Sequence, residues 1–318
     1  MASARREAFD GRVVPGKDRR GDSRGDTSFQ EEIRGRLVSD NRPIGVFDSG
    51  LGGLTVVKEL LRLMPAESIV YLGDTARCPY GVRSDDAIRR FALQDARFLM
   101  AMDIKMLIVA CNTVSSVALD HIRKDVSEIP VIGVVLPGCK AAVLRTAEKK
   151  VGVIGTPATI RTEAYARTIA SIDKGIKVYG KACPLFVPLA EEGLADSEIT
   201  RSAAQYYLYE LVDTGMDCLI LGCTHYPLLM ETIQGVVGNS IEVLDSAFWT
   251  AKEAQDILGA LNAAADGGRD GLGASTFHVT DMTPNFEKSA RRFLGSGITR
   301  IEKIDLEDLC GEKQEASR

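Results

Sequence analysis

The chain has 318 residues, 45% of them hydrophobic and 26% charged, an ordinary globular composition with room for two domains of about 100–150 residues each. Lys+Arg 39 against Asp+Glu 44 leaves a net charge of −5, so no global basic surface invites nucleic acid, and no run of about 18 uninterrupted apolar residues offers a membrane span. Seven cysteines, an odd number without close CxxC pairs and with no apolar signal peptide before them, fit free thiols in a reduced cytoplasmic compartment better than a disulfide framework.

Residues 1–42 are rich in Arg, Asp, Gly and Ser with little apolar periodicity. Such a segment buries too little apolar surface to offset its ordering entropy and is expected to be a disordered extension, a regulatory arm being the functional alternative. At Pro43 the character changes. Pro43-Ile-Gly-Val-Phe47 reads as a strand, Asp48-Ser-Gly-Leu-Gly-Gly53 as a glycine-rich turn, and the next residues as an amphipathic helix. Backbone N–H groups at such a turn can face an anion, but the pattern is neither GxGxxG nor GxxxxGK[ST], which excludes a dinucleotide fingerprint and a P-loop. Further strands are expected over 68–72, 106–110, 130–135, 150–154, 176–180, 218–221, 241–245, 275–279 and 300–304. Helices are expected over 85–102, 113–124, 138–148, 161–172, 197–214, 227–237, 247–261 and 284–294. Residues 262–274 read as a long, mobile loop, and 310–318 as a charged tail. The alternation predicts an α/β fold with mostly parallel sheets and right-handed crossovers.

Two stretches share one grammar. Leu107-Ile-Val-Ala-Cys-Asn-Thr-Val114 and Leu219-Ile-Leu-Gly-Cys-Thr-His-Tyr226 each run from an apolar strand through a small residue to a cysteine and polar residues. Those polar residues fall at the carboxyl edge of a sheet, where open α/β folds bind ligands. Cys111 and Cys223 are too far apart in sequence for a local metal knuckle, but natural for two similar half-units facing one another across a cleft. A thiol with an unperturbed pKa near ~8.5 can donate a proton and its thiolate can accept one, and a helix N-terminus stabilises the thiolate. Asn112, Thr113 and Thr224 add polar groups suited to a carboxylate, and His225 stands beside Cys223. Taken singly, a cysteine is more often an inert buried hydrophobe, and Cys78, Cys139, Cys183, Cys218 and Cys310 are read so, Cys218 pointing into the core. Asp48 could equally be a helix cap, Ser49 a turn residue, Tyr80 a packed loop residue and His225 a core histidine. Zinc on Cys111, Cys223 and His225 fits poorly, because structural zinc prefers four closely spaced ligands.

Six motifs carry a resemblance: Phe47-Asp-Ser-Gly-Leu-Gly-Gly-Leu54, Gly73-Asp-Thr-Ala-Arg-Cys-Pro-Tyr-Gly81, Ala110-Cys-Asn-Thr113, Gly155-Thr-Pro-Ala-Thr159, Val187-Pro-Leu-Ala-Glu191 and Gly222-Cys-Thr-His-Tyr-Pro227. In this order the chain resembles glutamate racemase of the aspartate/glutamate racemase superfamily over residues 43–306. The resemblance implies a cofactor-independent racemase interconverting L- and D-glutamate for peptidoglycan, with an active site in the cleft between two α/β domains. The first domain is expected over 43–136 plus 250–309 and the second over 137–249. Carried over by resemblance, Cys111 takes the α-proton from D-glutamate and Cys223 from L-glutamate, while Asp48 and His225 assist. Ser49, Pro79, Tyr80, Gly81, Asn112, Thr113, Thr159 and Thr224 hold the substrate's amino and carboxylate groups, and Glu191 is an electrostatic candidate. The N-terminal extension is longer than the compact form of the family. Tyr206-Tyr207-Leu-Tyr209 reads as core or dimer packing, and the expected assembly is a homo-oligomer, a dimer. The alternatives are an aspartate or other amino-acid racemase of the same superfamily, or a binding protein that kept the cleft without turnover.

Overall fold

The computed structural model of the protein describes residues 39–282, 290–291, 293–294 and 301–306. Its apolar runs form β1 (Ile44–Asp48), β2 (Ile69–Gly73), β3 (Met106–Val109), β4 (Val131–Gly133), β5 (Lys150–Gly155), β6 (Lys177–Ala182), β7 (Cys218–Gly222), β8 (Glu242–Asp245), β9 (Thr276–Val279) and β10 (Ile301–Lys303). A six-stranded sheet runs β10-β9-β2-β1-β3-β4 and a four-stranded sheet runs β6-β5-β7-β8. Every neighbouring pair is parallel, so each sheet must be covered on both faces, and β1, β2, β3 and β7 are buried along their whole length.

The helices are α1 (Leu54–Leu63), α2 (Asp85–Met100), α3 (Asn112–Val117), α4 (Leu119–Asp125), α5 (Val135–Arg145), α6 (Pro157–Arg161), α7 (Ala164–Ile172), α8 (Phe186–Glu191), α9 (Glu198–Val212), α10 (Met230–Val237) and α11 (Ser246–Ala260). On one face of the larger sheet, α1 and α11 bury Leu54, Val57, Ala251 and Leu258 against Ile44, Ile108 and Phe277. On the other face, α2 buries Ile88, Ala92 and Leu99 against Phe47, Leu72 and Leu107. The smaller sheet is covered by α9 on one side and by α5 and α7 on the other. This is the two-domain α/β architecture that the strand–helix alternation predicts. The strands β9 and β10, late in the chain, return to complete the first sheet beside β2.

Several boundaries differ from the sequence reading for definite reasons. Pro137 and Pro188 look like breaks, yet they lie in the first turns of α5 and α8, where an N–H has no intrahelical partner to lose. The single helix expected over 113–124 is two, α3 and α4, parted at Ala118 (φ −123°). Ser115 Oγ ties α3 to the sheet edge, donating to Val109 O at 2.9 Å and accepting from Val134 N at 3.2 Å. Of the tyrosine cluster, Tyr207 is buried edge-on to Phe186, while Tyr206 and Tyr209 are exposed. Cys218 is buried on β7 as expected. Most of the helix expected over 284–294, the tail over 310–318 and residues 1–38 lie outside the described residues.

The loop over 262–274, read as mobile, is tied down at several points. Gly271 N donates to Pro65 O at 3.0 Å and Ala265 N to Glu67 Oε1 at 2.8 Å. Beside it, Lys105 Nζ meets Glu67 Oε2 at 2.7 Å with both side chains at most 3% exposed, and the same ammonium donates to Asp40 O and Ala263 O at 2.6 and 2.8 Å. Removing one partner of a buried ion pair leaves the other charge uncompensated, at a cost of about 3–5 kcal/mol. Lys105→Met is expected to lower unfolding free energy by about that amount in urea titration, whereas Lys252→Met, which breaks an exposed pair with Asp256, should cost under about 1 kcal/mol.

Candidate active site

Because all strands of both sheets are parallel, the polar residues following β1, β3, β5 and β7 collect at the carboxyl edges. There they enclose one cavity of about 30 Å³, space for little more than a water molecule. Ser49, Cys111, Asn112 and Thr113 line it from the first domain, and Cys223, Thr224 and His225 from the second; the Pro79–Tyr80–Gly81 loop closes a further side. Two glycines permit the domains to come this close. A Cβ on Gly52 would overlap Thr224 Oγ1 and lie 2.8 Å from His225 Nδ1, and one on Gly81 would lie 2.7 Å from Thr156 Cβ.

The two cysteines have unlike surroundings. Cys111 occupies the N-cap position of α3 and its thiol donates to Ser49 Oγ at 3.4 Å. Burial, followed by the nearby charge of Asp48, pushes its pKa up to about 12. Cys223 Sγ lies 3.8 Å from His225 Nδ1, and His225 Nε2 lies 3.1 Å from Glu191 Oε1. Burial disfavours the charged imidazole, but the hydrogen bonds to Cys223 and Glu191 outweigh it and raise His225 to about 10. At neutral pH one thiol is therefore held protonated, while the other faces an imidazolium.

Asp48 is fully buried at the end of β1, outside the cavity lining. It accepts from Gly50 N at 3.0 Å and from Thr224 Oγ1 at 3.5 Å, and burial raises its pKa against the opposing charge of His225. Thr159 also stands behind the lining, its hydroxyl 3.0 Å from Thr156 Oγ1 and 3.4 Å from Thr113 Oγ1. Thr113 and Thr156 meet at 2.9 Å across the domain boundary. Tyr80 lines the cavity, but its hydroxyl is engaged on Asp74 and Asp95, so its backbone is what remains for a ligand. Asn112 donates through Nδ2 to Tyr165 at 2.7 Å, leaving the buried Oδ1 without a partner among the described residues. Glu191 is outside the lining and touches it through His225.

Sequence reasoning passed over three lining residues, Cys78, Thr156 and Val187. Thr156 carried a signal, since it precedes Pro157 at a helix start and caps α6 by accepting from Thr159 N at 3.2 Å. Cys78, read as inert, lies in the cavity wall. Its proximity to the centre depends on the fold and leaves no mark in local spacing. Cys139, Cys183 and Cys218 are buried away from the cavity, and Cys310 lies outside the described residues. Among the described residues no group of three or more His, Cys, Asp or Glu is placed to hold a metal ion, and no helix is long and apolar enough to cross a membrane.

The family described as Asp/Glu/Hydantoin racemase matches residues 44–254. The chain belongs to this racemase family. A glutamate racemase of Geobacter metallireducens is 44% identical over 269 residues, covering 84% of this chain and 97% of that one. Among solved structures, glutamate racemase from Francisella tularensis in complex with D-glutamate has a TM-score of 0.79 at 38% identity, covering 85% of this chain and 99% of that one. Escherichia coli glutamate racemase in complex with L-glutamate and the activator UDP-MurNAc-ala has a TM-score of 0.68 at 27% identity, covering 83% and 98%. The protein is accordingly an isomerase, an amino-acid racemase.

The raised His225 sets a pH dependence. A histidine whose folded pKa exceeds its unfolded value stabilises the fold fully below about 6.5, and that contribution is lost as pH rises toward about 10. Comparison of wild type and His225→Asn by urea unfolding is expected to show a stability gap that narrows across this window, by at most ~1.4 kcal/mol per pH unit. A gap independent of pH would contradict a charged His225 in the folded enzyme.

Proposed function

We propose that the protein interconverts L- and D-glutamate by cofactor-independent proton transfer between two cysteines, in the cytoplasm, and that the D-enantiomer serves peptidoglycan synthesis. The observation that carries this reading is that Cys111 and Cys223, each at the end of a central strand of a different sheet, line the same buried cavity. Support for the substrate comes from relatives named as glutamate racemases that span nearly their whole length.

Inversion at the α-carbon needs a base on one face and an acid on the other. From L-glutamate, the Cys223 thiolate, facing the His225 imidazolium, takes the α-proton, and Cys111, whose proton is held by burial and the Asp48 charge, gives its own to the opposite face. The substrate's Cα–H bond breaks as an S–H bond forms on Cys223, and the S–H bond of Cys111 breaks as a new Cα–H bond forms on the opposite face, leaving a Cys111 thiolate and a Cys223 thiol. That is the state required to take the proton from D-glutamate. Asp48 and His225 assist the return of protons between turnovers, and Glu191 holds the histidine. Ser49, Thr113 and Thr224 hydroxyls with the Pro79–Tyr80–Gly81 backbone and the Thr159-supported hydroxyl pair receive the carboxylates. Asn112 Oδ1 receives the ammonium group. Glutamate is several times larger than the water-sized space, so the two domains, proposed as 43–136 with 250–309 and 137–249, part to admit it. The active form is proposed to be a homodimer, with neither nucleic acid nor membrane as partner.

The enantiomers have equal free energy, so kcat/KM must be the same in both directions for every variant, and labelling tells more than directional rates. Polarimetry of pure L-glutamate without added cofactor should show rotation decaying to zero, including after dialysis against a chelator. Cys111→Ala and Cys223→Ala should each lose roughly 10²–10⁴-fold or more. In heavy water at early conversion, D-glutamate should carry solvent deuterium while the remaining L-glutamate stays largely unlabelled. Unlabelled product, or substantial racemisation by both variants, would overturn the two-thiol mechanism.

A further inference from the structure

We propose that Tyr165 is a positioning residue, a buried side chain of the second domain that fixes the amide of Asn112 in the first so that its free oxygen is presented to the substrate's ammonium group. This rests on reading the cavity as an amino-acid site. Asn112 opens α3 directly after Cys111, is 2% exposed, and lines the cavity. One end of its amide is taken: Nδ2 donates to the Tyr165 hydroxyl at 2.7 Å. The other end is not, since Oδ1 is buried without a partner among the described residues. An unmet buried acceptor costs about 1–3 kcal/mol, and a cationic donor is the ligand chemistry that repays it best.

Tyr165 can anchor this amide because its ring is packed into the core of its own domain. Its ring is 3% exposed in the core formed by Val151, Val153 and Ile220, and lies 3.4 Å from where a Cβ on Gly222 would stand. Gly222 is the residue before Cys223, so a single side chain packs behind one cysteine and holds the neighbour of the other. Burial raises the phenol pKa, which keeps the hydroxyl neutral and able to bond the amide. The ring is outside the cavity lining; Tyr165 acts through Asn112 and never touches the reacting atoms. Because the ammonium group persists from ground state to transition state, the contact contributes uniform binding, which appears in KM and leaves kcat largely unchanged.

The test combines kinetics with a ligand-free measurement. Tyr165→Phe should raise KM for both enantiomers roughly tenfold, as losing one such hydrogen bond implies, with kcat within about threefold. In an Asn112→Ala background the same change should leave KM unmoved. An unchanged KM in Tyr165→Phe, or an equal factor in both backgrounds, overturns the proposal. The side-chain amide protons of Asn112, observed by NMR without ligand, should exchange slowly with solvent in wild type and faster in Tyr165→Phe. Rapid exchange in the wild type overturns the proposal whether or not the variant folds. If wild type fails to racemise glutamate, the substrate reading fails, and the exchange measurement alone then decides the role of Tyr165.

Discussion

Two sulfur atoms in one small buried cavity cannot both carry charge cheaply, because the water that would screen them is excluded. The site resolves this by giving each a different neighbour. Cys111 is buried beside the Asp48 carboxylate, and both favour the thiol over the opposing pull of its hydrogen bond to Ser49. Cys223 has His225, itself backed by Glu191. The local chain is alike at both cysteines, strand then cysteine then polar turn. The asymmetry therefore comes from what each cysteine meets within its own domain, the β1 turn at Cys111 and the His225–Glu191 pair at Cys223.

Several polar contacts around the cavity cross the domain boundary. Thr224 reaches Asp48, Thr113 reaches Thr156, and Asn112 reaches Tyr165. The ion pair of Arg161 with Asp85 at 2.6 Å joins the same faces but is half exposed, and such pairs contribute little in water. Bringing the domains together and assembling the site are thus one event. The glycines at 52 and 81 let the first domain's backbone lie directly against the Thr224, His225 and Thr156 side chains of the second.

The sequence shows the strands because period and apolar run length are local, and it shows Cys111 and Cys223 because each ends such a run. The rest depends on contacts between distant segments. Tyr165 sits in an unremarkable apolar helix, and only its 2.7 Å approach to Asn112 sets it apart. Cys78 follows an arginine in a loop whose path is governed by Arg77 bonding Asp74 and Asp95 at 2.6 and 2.9 Å, the second of them 18 residues further along the chain. Tyr80 looks like a substrate ligand by motif, yet the same acidic pair takes its hydroxyl. Pro137 and Pro188 mislead because proline forbids helix interiors and tolerates first turns, and composition alone does not say which applies.

The return of β9 to the first sheet has a consequence for synthesis. A chain emerging amino end first presents β1 to β4 early, with β2 as an open parallel edge until β9, more than 200 residues later in register with Val70 through Gly73, arrives to cover it. Thr280, just past β9, then donates to Asp74 Oδ1 at 2.9 Å, and so reaches the carboxylate that governs the Arg77 loop. On the ribosome the first domain carries an unpaired strand while the second is made. The wall of the cavity is secured only when nearly the whole chain is available, so truncated nascent products would expose a sticky edge before any of them could act on an amino acid.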